Sequence, residues 1–142
     1  MGLVLDTSAL VTMEREGRSL AEAVSRLATE DALIPAIVVA ELLAGVRLAD
    51  DRRRAARRRA KIDAVLALAA VVDFDAEIAE TWAELFAGLE RRGNRIPAND
   101  LAVAATAIHL HMPVLVGPED EVHFRRVDGL EIVVLKPLAD ST

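Results

Sequence analysis

The amino-acid sequence predicts an α/β fold in which a central, mostly parallel sheet of about five strands is flanked by helices. Short apolar runs alternate along the chain with longer segments that have helical periodicity or helix caps. This alternation is typical of parallel sheets, because the crossover between two parallel strands needs about a dozen residues or more, usually a helix. In such sheets, binding sites lie at the carboxyl ends of the strands. We expect the 142 residues to form one domain, 1–142.

In chain order, the first predicted strand is the apolar run Leu3–Leu5. A helix follows from Ser19, because apolar residues recur at helical spacing and Ser19 with Glu22 has the form of a capping box. Ala32–Ile34 is the second predicted strand, and Pro35 suits the first turn of the next helix.

The second half of the chain continues the alternation. Asp50 or Asp51 caps a helix that carries an arginine block and then the apolar stretch Ile62–Ala70, and Val71–Val72 is the third predicted strand. The remaining predicted elements are a helix from about Asp75 to Arg91, a helix from Pro97 through His109, a strand at Val114–Val116 and a strand at Glu131–Leu135.

Composition excludes several classes of protein. Hydrophobic residues make up 53% of the chain and charged residues 28%, which rules out general disorder. The absence of cysteine rules out disulfides, a thiolate nucleophile and cysteine-ligated metal centres. The formal net charge of -6 argues against a protein that coats nucleic acid by bulk charge. We find no membrane span and no signal peptide, so we expect a cytoplasmic protein.

Three acidic residues lie where an ionised carboxylate is costly. Asp6 ends a buried-type strand, Glu41 lies within the apolar helical segment 36–44, and Asp100 is the only ionisable side chain in the segment 96–108. Each residue also has a purely structural explanation. Asp6 would cap a helix, Asp100 would complement a helix dipole, and Glu41 would pair with a buried arginine.

Taken together, the three carboxylates indicate a metal site. If they converge, their repulsion raises their pKa values unless a cation is shared between them. All-oxygen ligation without cysteine suits a hard ion such as Mg2+ or Mn2+. An ion of this kind lowers the pKa of a bound water and holds a phosphate for attack, so the predicted chemistry is phosphodiester hydrolysis. We expect a fourth acid from the segment 119–121, after the fourth strand.

Four segments of the chain resemble the PIN-domain ribonucleases, and within them the VapC-type toxins of bacterial toxin–antitoxin pairs. In chain order the segments are Leu5–Leu10, Val39–Val46, Ile96–Ala107 and His123–Leu130. They occur in the family's order and span nearly the whole chain. The resemblance implies a three-layer PIN-like domain that cleaves RNA endonucleolytically with the help of a metal ion.

The resemblance also implies a set of site residues. Asp6, Glu41 and Asp100 take the family's three metal-binding carboxylate positions. Asp6 and Asp100 would be primary ligands, and Glu41 a ligand or a base that acts through water. Thr7 and Ser8 match the polar residues that follow the first aspartate and help to hold the site.

The fourth carboxylate position matches the family's pattern less closely. Asp120 is our choice for the fourth catalytic and metal-binding acid, with Glu119 and Glu121 as alternatives. Pro118 stands where the family usually has a threonine, and His123 stands where a second aspartate is often found. These departures bear on whether one or two ions bind.

VapC-type toxins are normally held inactive by an antitoxin whose C-terminal segment lies across the toxin, and they commonly form homodimers. The resemblance therefore implies a VapB-type antitoxin, an RNA substrate and a second copy of the chain as partners. The apolar stretches 38–46 and 62–70 agree with partner contact, because they offer more hydrophobic surface than one small core needs.

Seven of the 17 basic residues lie in the ten-residue stretch Arg52–Lys61. Within it, Arg54, Arg57, Arg58 and Lys61 share one helical stripe at spacings of three and four. The stripe is either a solvated face that pairs with nearby aspartates or an edge that positions RNA phosphates without reading sequence.

We also predict where three aromatic residues and two of the histidines lie in the fold. Aromatic residues make up only 3% of the chain, and we predict Phe74, Trp82 and Phe86 in the core. RNA shape and loop contacts, rather than base stacking, would then select the substrate. His109 and His111 are expected near the C-terminus of a helix.

Three other functions compete with the nuclease. A catalytically silent PIN fold would act only by binding antitoxin or RNA. An aspartyl-phosphate phosphohydrolase would have a second aspartate where this chain has Ser8. A receiver-type phosphoacceptor would have the late lysine, Lys136, but also an acidic pair after the first strand, which is missing. A cleavage assay with and without Mg2+ separates the enzyme from the binding module.

Overall fold

The computed structural model describes residues 2–27 and 31–136. In these ranges the strands are β1 (Leu3–Leu5), β2 (Ala32–Pro35), β3 (Ala69–Val72), β4 (Val114–Val116) and β5 (Ile132–Val134). They form one sheet in the order β3-β2-β1-β4-β5, and every neighbouring pair is parallel. The predicted α/β fold with a parallel sheet is confirmed.

Seven helices connect and flank these strands in the described part of the chain. They are α1 (Thr7–Arg15), α2 (Leu20–Leu27), α3 (Ala36–Arg47), α4 (Arg52–Leu66), α5 (Ala76–Arg91), α6 (Ala98–Leu110) and α7 (Glu121–Phe124). Over the residues described, no helix has both the length and the apolar character that crossing a membrane requires.

Side chains at the helix starts explain where several helices begin. Asp51 accepts a hydrogen bond from the backbone N–H of Arg54 at 2.7 Å, so Asp51 rather than Asp50 caps α4. Ser19 Oγ accepts from the N–H of Glu22 at 3.2 Å before α2. Each contact satisfies one of the N–H groups that a helix start leaves without an intrahelical partner.

The core is centred on the middle strand β1 and its neighbour β4, whose residues are all buried. Such strands are covered on both faces, which is why they are continuous apolar runs rather than alternating ones. At the end of β4 the chain passes very close to α1. A Cβ on Gly117 would lie 2.6 Å from the carbonyl oxygen of Ser8 and 2.8 Å from Thr12 Oγ1, so a glycine is required there.

The third strand begins earlier than predicted. Residues 69 and 70, placed in a helix by the sequence pattern, pair with Ala32 and Leu33 of β2, and α4 ends at Leu66. Alanine favours helices intrinsically, and tertiary pairing overrides that preference here. Helix α7 has four residues, too few to give a periodic pattern.

The prediction that Phe74, Trp82 and Phe86 lie in the core is wrong. Phe74 is 49% exposed, Phe86 is 42% exposed and Trp82 is half-buried. Trp82 and Phe86 stack on each other one turn apart on α5, with ring centroids 5.1 Å apart. Phe124 is the aromatic residue that the core contains. The prediction for the two histidines is confirmed, because α6 ends at the residue between them.

Candidate active site

The acidic side chains that the sequence singled out lie around the carboxyl ends of the central strands. Asp6 directly follows β1, and Asp120 lies four residues after β4. Asp100 is in the first turn of α6, and Glu41 lies on α3, the helix that follows β2. We call the group of Asp6, Glu41, Asp100 and Asp120 the acidic centre.

Asp6 is held in place by the turn that follows it. Its Oδ2 accepts hydrogen bonds from the Ser8 N–H at 3.0 Å and from Ser8 Oγ. Ser8 Oγ in turn accepts from the N–H of Gly117 at 2.9 Å, which ties the end of β1 to the end of β4. Asp6 therefore does cap α1, as its structural explanation supposed, and it belongs to the acidic centre as well.

The electrostatics of Asp6 are unusual for a helix cap. Asp6 is buried, with only 1% of the residue exposed to solvent. Burial raises the pKa of Asp6 to about 7 against the hydrogen bonds from Ser8, and the charges of Asp100 and Asp120 add to the rise. A carboxyl group with this pKa titrates near neutral pH, and a bound cation would displace its proton into solvent.

Glu41 is oriented by the residue that follows Asp6. Thr7 Oγ1 donates a hydrogen bond to Glu41 Oε1 at 2.9 Å. Glu41 is half-buried, and its charge contributes to the raised pKa of Asp100. Among the described residues, the partner of Glu41 is this hydroxyl and not the arginine considered from the sequence.

Asp100, Asp120 and His123 form the tightest part of the site. His123 Nδ1 lies 2.7 Å from Asp100 Oδ2 and 4.0 Å from Asp120 Oδ1. One donor atom from each of the three residues lies within 4.8 Å of the other two. Burial raises the pKa of Asp100 despite its hydrogen bond with His123, and the charge of Asp120 raises it further. All three residues are half-buried and so remain accessible to solvent.

Of the three consecutive acids 119–121, the structure brings one into this cluster. Glu119 pairs with Arg15 at 2.9 Å and its side chain is 68% exposed. Glu121 pairs with Arg125 at 2.5 Å. Both carboxylates are thus engaged with arginines, and Asp120 is the acid that lies beside His123.

The residues of the acidic centre fit a divalent cation. Carboxylate oxygens are the ligands that hard divalent ions take in proteins. Burial raises the pKa values of Asp6 and Asp100, and the charges of neighbouring carboxylates raise them further. A shared cation relieves the repulsion between these carboxylates. Without a cation, the cost of desolvating each charge, on the order of several kcal/mol, favours the protonated acids.

A cleft of about 470 Å³ lies between Glu41, the one member of the acidic centre that lines it, and the arginine-rich helix. Thr7 and Glu41 lie at one side of the cleft, and Arg58 and Lys61 of α4 line it at the other. Arg58 is partly structural, because it donates to the carbonyl oxygen of Gly45 at 3.0 Å.

The other two members of the predicted stripe face outward. Arg54 lies 3.7 Å from Asp50 and is 51% exposed, and Arg57 is exposed. Neither residue lines the cleft. The structure therefore divides the stripe into a cleft-lining half and a solvated half.

His123 is the residue of this cluster that sequence reasoning did not include. It was noted only as a departure from a family pattern. One signal could have found it: His123 follows Asp120 by three positions, and residues three apart lie on the same side of a helical turn. Its approach to Asp100, 23 positions away, is visible only in the folded chain.

The chain matches a known protein family, and it is similar to named proteins and to solved structures. The PIN domain family matches residues 3–130. A protein of Rickettsia bellii named Ribonuclease VapC is 32% identical over 140 residues, which cover 99% of this chain and 100% of that protein. The crystal structure of VapBC2 from Rickettsia felis, bound to a DNA fragment from their promoter, superposes with a TM-score of 0.82 and 27% identity over 96% of this chain and 100% of that chain. VapBC-5 from Mycobacterium tuberculosis, a member of the VapBC family of toxin–antitoxin systems, superposes with a TM-score of 0.71 and 27% identity over 95% of this chain and 98% of that chain.

Proposed function

The chain belongs to the PIN domain family, and we propose that it is a metal-dependent endoribonuclease that acts as the toxin of a toxin–antitoxin pair. The reaction is hydrolysis of an RNA phosphodiester bond. The observation that carries the proposal is the gathering of four carboxylates around the ends of β1 and β4, in a chain similar over its whole length to a ribonuclease. The alternative of a silent binding module leaves these costly charges without a use.

We propose that the acidic centre holds Mg2+ or Mn2+. Asp6, Asp100 and Asp120 would be ligands, and Glu41 a ligand or a base. When bound, such an ion supplies a water of lowered pKa and neutralises negative charge on the phosphate. The chain's own contribution is to present the carboxylates in fixed positions.

Hydrogen bonds around the acidic centre prepare it for this task. Ser8 donates twice to Asp6 and is itself fixed by Gly117, so Asp6 keeps its orientation before substrate arrives. Thr7 holds one oxygen of Glu41. The other oxygen of that carboxylate is then available to accept a proton from the attacking water.

The cleft beside Glu41 supports a path for the RNA backbone. Arg58 and Lys61 line it, and phosphate contacts from such side chains position a nucleic acid without reading its sequence. Arg54 and Arg57 would add weaker attraction from the solvated face of α4. This arrangement accounts for RNA binding by a chain whose net charge is -6.

We propose a VapB-type antitoxin and a second copy of the chain as protein partners, and the cytoplasm as the place of action. The VapBC structures that this chain resembles support the antitoxin. Large apolar side chains left in solvent support protein contacts, among them Leu48 at 81%, Leu68 at 50% and Val71 at 48% exposed.

The experiment is a cleavage assay on end-labelled RNA with the purified protein. We expect new RNA ends with Mg2+ or Mn2+ and none with a chelator. Asp100→Asn should abolish cleavage, whereas the control Asp63→Asn, which alters an exposed acid paired with Arg59, should not. A folded Asp100→Asn protein that still cleaves RNA would refute the site. RNA binding without new ends, with either ion, would favour the silent binding module.

A further inference from the structure

We propose that His123 is a direct ligand of the divalent ion and that its nitrogen shifts the preference of the site from Mg2+ toward Mn2+. This inference rests on the proposed metal site and deepens it. It concerns a side chain that composition and spacing alone left outside the set of ligands.

The distances around His123 suit a shared ion. Its Nδ1 lies 2.7 Å from Asp100 Oδ2 and 4.0 Å from Asp120 Oδ1. Ligand atoms about 2.1 Å from one octahedral ion are about 3.0 Å apart when adjacent and about 4.2 Å apart when opposite. The two separations from His123 are close to these values, and one ligand atom of each residue lies within 4.8 Å of the other two, so the three residues can share one ion.

The fold presents His123 to the site through a short, well-anchored turn. Phe124 is fully buried and fixes α7 against the core. The N–H of His123 donates to the carbonyl oxygen of Asp120 at 3.0 Å, which closes the turn and puts the two side chains on the same side. The imidazole is 30% exposed, so an ion can reach it from solvent.

A nitrogen donor changes which ion the site prefers. Mg2+ is a hard ion that takes oxygen ligands in near-ideal octahedral geometry. Imidazole is a good ligand for first-row transition ions, and their affinities for mixed nitrogen and oxygen sites exceed that of Mg2+. A neutral imidazole also adds a ligand without adding negative charge to carboxylates that already repel one another. The acidic centre with His123 is therefore a mixed-donor site suited to Mn2+.

Mn2+ itself reports the atoms bound to it, because it is paramagnetic. Electron spin-echo envelope modulation of the Mn2+-loaded protein should show coupling to a coordinated nitrogen, and this coupling should change when histidine is labelled with 15N. His123→Gln should remove it. His111→Asn is the control, because His111 is exposed with φ 54 and asparagine tolerates that left-handed conformation. Wild-type protein without nitrogen coupling would overturn the proposal.

Calorimetric titrations with Mn2+ and Mg2+ distinguish a ligand from a residue that only positions Asp100. We expect His123→Gln to lose at least about tenfold in Mn2+ affinity and clearly less in Mg2+ affinity. His123→Asp should bind both ions with the preference moved toward Mg2+. Equal losses for both ions in His123→Gln would contradict direct ligation. Failure of the wild-type protein to cleave RNA with any ion would contradict the proposed function instead, and the nitrogen coupling would still decide this inference.

Discussion

The acidic centre and helix α4 concentrate like charges in opposite ways. In the acidic centre, Asp6 is 1% exposed and is fixed by hydrogen bonds from Ser8. On α4, all basic side chains except Arg58 are exposed to solvent, with Arg54 51% and Arg59 52% exposed. Burial and repulsion raise the pKa of Asp6 to about 7, whereas the guanidinium groups keep water around them.

This difference separates two uses of charge. Exposed like charges cost little, because water and salt screen them within about 10 Å. Buried like charges interact in a lower effective dielectric and are retained only where a cation or proton neutralises them. This contrast supports the proposal that the acidic centre carries the chemistry and that α4 attracts a polyanion. The net charge of -6 is a sum over the acidic centre, helix α4 and the rest of the chain, so it describes neither of these two regions.

The largest expected effect comes from removing one buried charge. Asp6→Asn should lower RNA cleavage by at least about 10²-fold, because a ligand is lost. The same change should raise the free energy of unfolding of the metal-free protein at pH 8 by about 1–3 kcal/mol, because a neutral amide still accepts from Ser8 without the cost of a buried charge. Cleavage rates and urea denaturation measure the two effects.

The control for this prediction lies on α4. Asp63→Asn removes an exposed acid that pairs with Arg59 at 3.1 Å. Because exposed pairs contribute about 0–1 kcal/mol, neither cleavage nor stability should change much. Equal changes in stability for Asp6→Asn and Asp63→Asn would contradict the difference between buried and exposed charges.

The second prediction concerns the support of Asp6. Ser8→Ala removes the hydroxyl's hydrogen bond to Asp6, keeps the one from the backbone N–H, and leaves the buried N–H of Gly117 without its acceptor. We expect a loss of about 1–3 kcal/mol in stability and a reduced cleavage rate. Ser19→Ala is the matched control: it removes the cap of α2 at a cost of about 1 kcal/mol and should leave cleavage intact. Equal cleavage by both variants would mean that Ser8 does not prepare the site.

The third prediction is a pH dependence of the metal-free protein. The pKa of Asp6 is about 7 in the folded chain, against 3.8 for an unperturbed aspartate, and that of Asp100 is also raised. The stabilisation from protonated Asp6 is fully present below pH 3.8 and is lost as the pH rises through about 7. For Asp6 the loss is on the order of 4 kcal/mol at most. Thermal unfolding in a chelating buffer should show this decline, and Asp6→Asn should flatten it; a stability that rises over this range would contradict the assignment.

The smallest expected effect tests the arginine-rich helix. Lys61→Gln should weaken RNA binding a few-fold and lower the salt slope by about one, the change expected for one lost phosphate contact. Arg53→Gln is the control, since Arg53 lies on the same helix and does not line the cleft. Binding titrations at several salt concentrations measure the slope. Identical slopes for the two variants would mean that the cleft is not the RNA path.

The sequence predicted most of the fold and several residues of the candidate site, for identifiable reasons. β1 and β4 are continuous apolar runs because they are buried, and such runs can be recognised in the sequence. Asp6 and Asp100 stood out because each is a charge among apolar residues. The start of β3 was misplaced, because its alanines favour helix until β2 pairs with them.

The contacts across the site were beyond sequence reasoning. His123 meets Asp100 because α7 approaches the start of α6, and no local pattern encodes that distance. The division of the arginine stripe also depends on tertiary packing. Arg58 and Lys61 line the cleft because of the way α4 packs against the other elements. Spacing along one helix cannot say which part of its face another element covers.

Stabilisation of the protein by a divalent ion tests the proposed cation site most directly. Unfolding of wild-type protein and of Asp6→Asn is measured at pH 8 with and without Mn2+ at about 100 times its dissociation constant. An ion bound in the acidic centre should stabilise the wild-type protein by about 2.7 kcal/mol and Asp6→Asn by much less. Equal stabilisation of both proteins, or of neither, would contradict the claim that the buried carboxylates form a cation site.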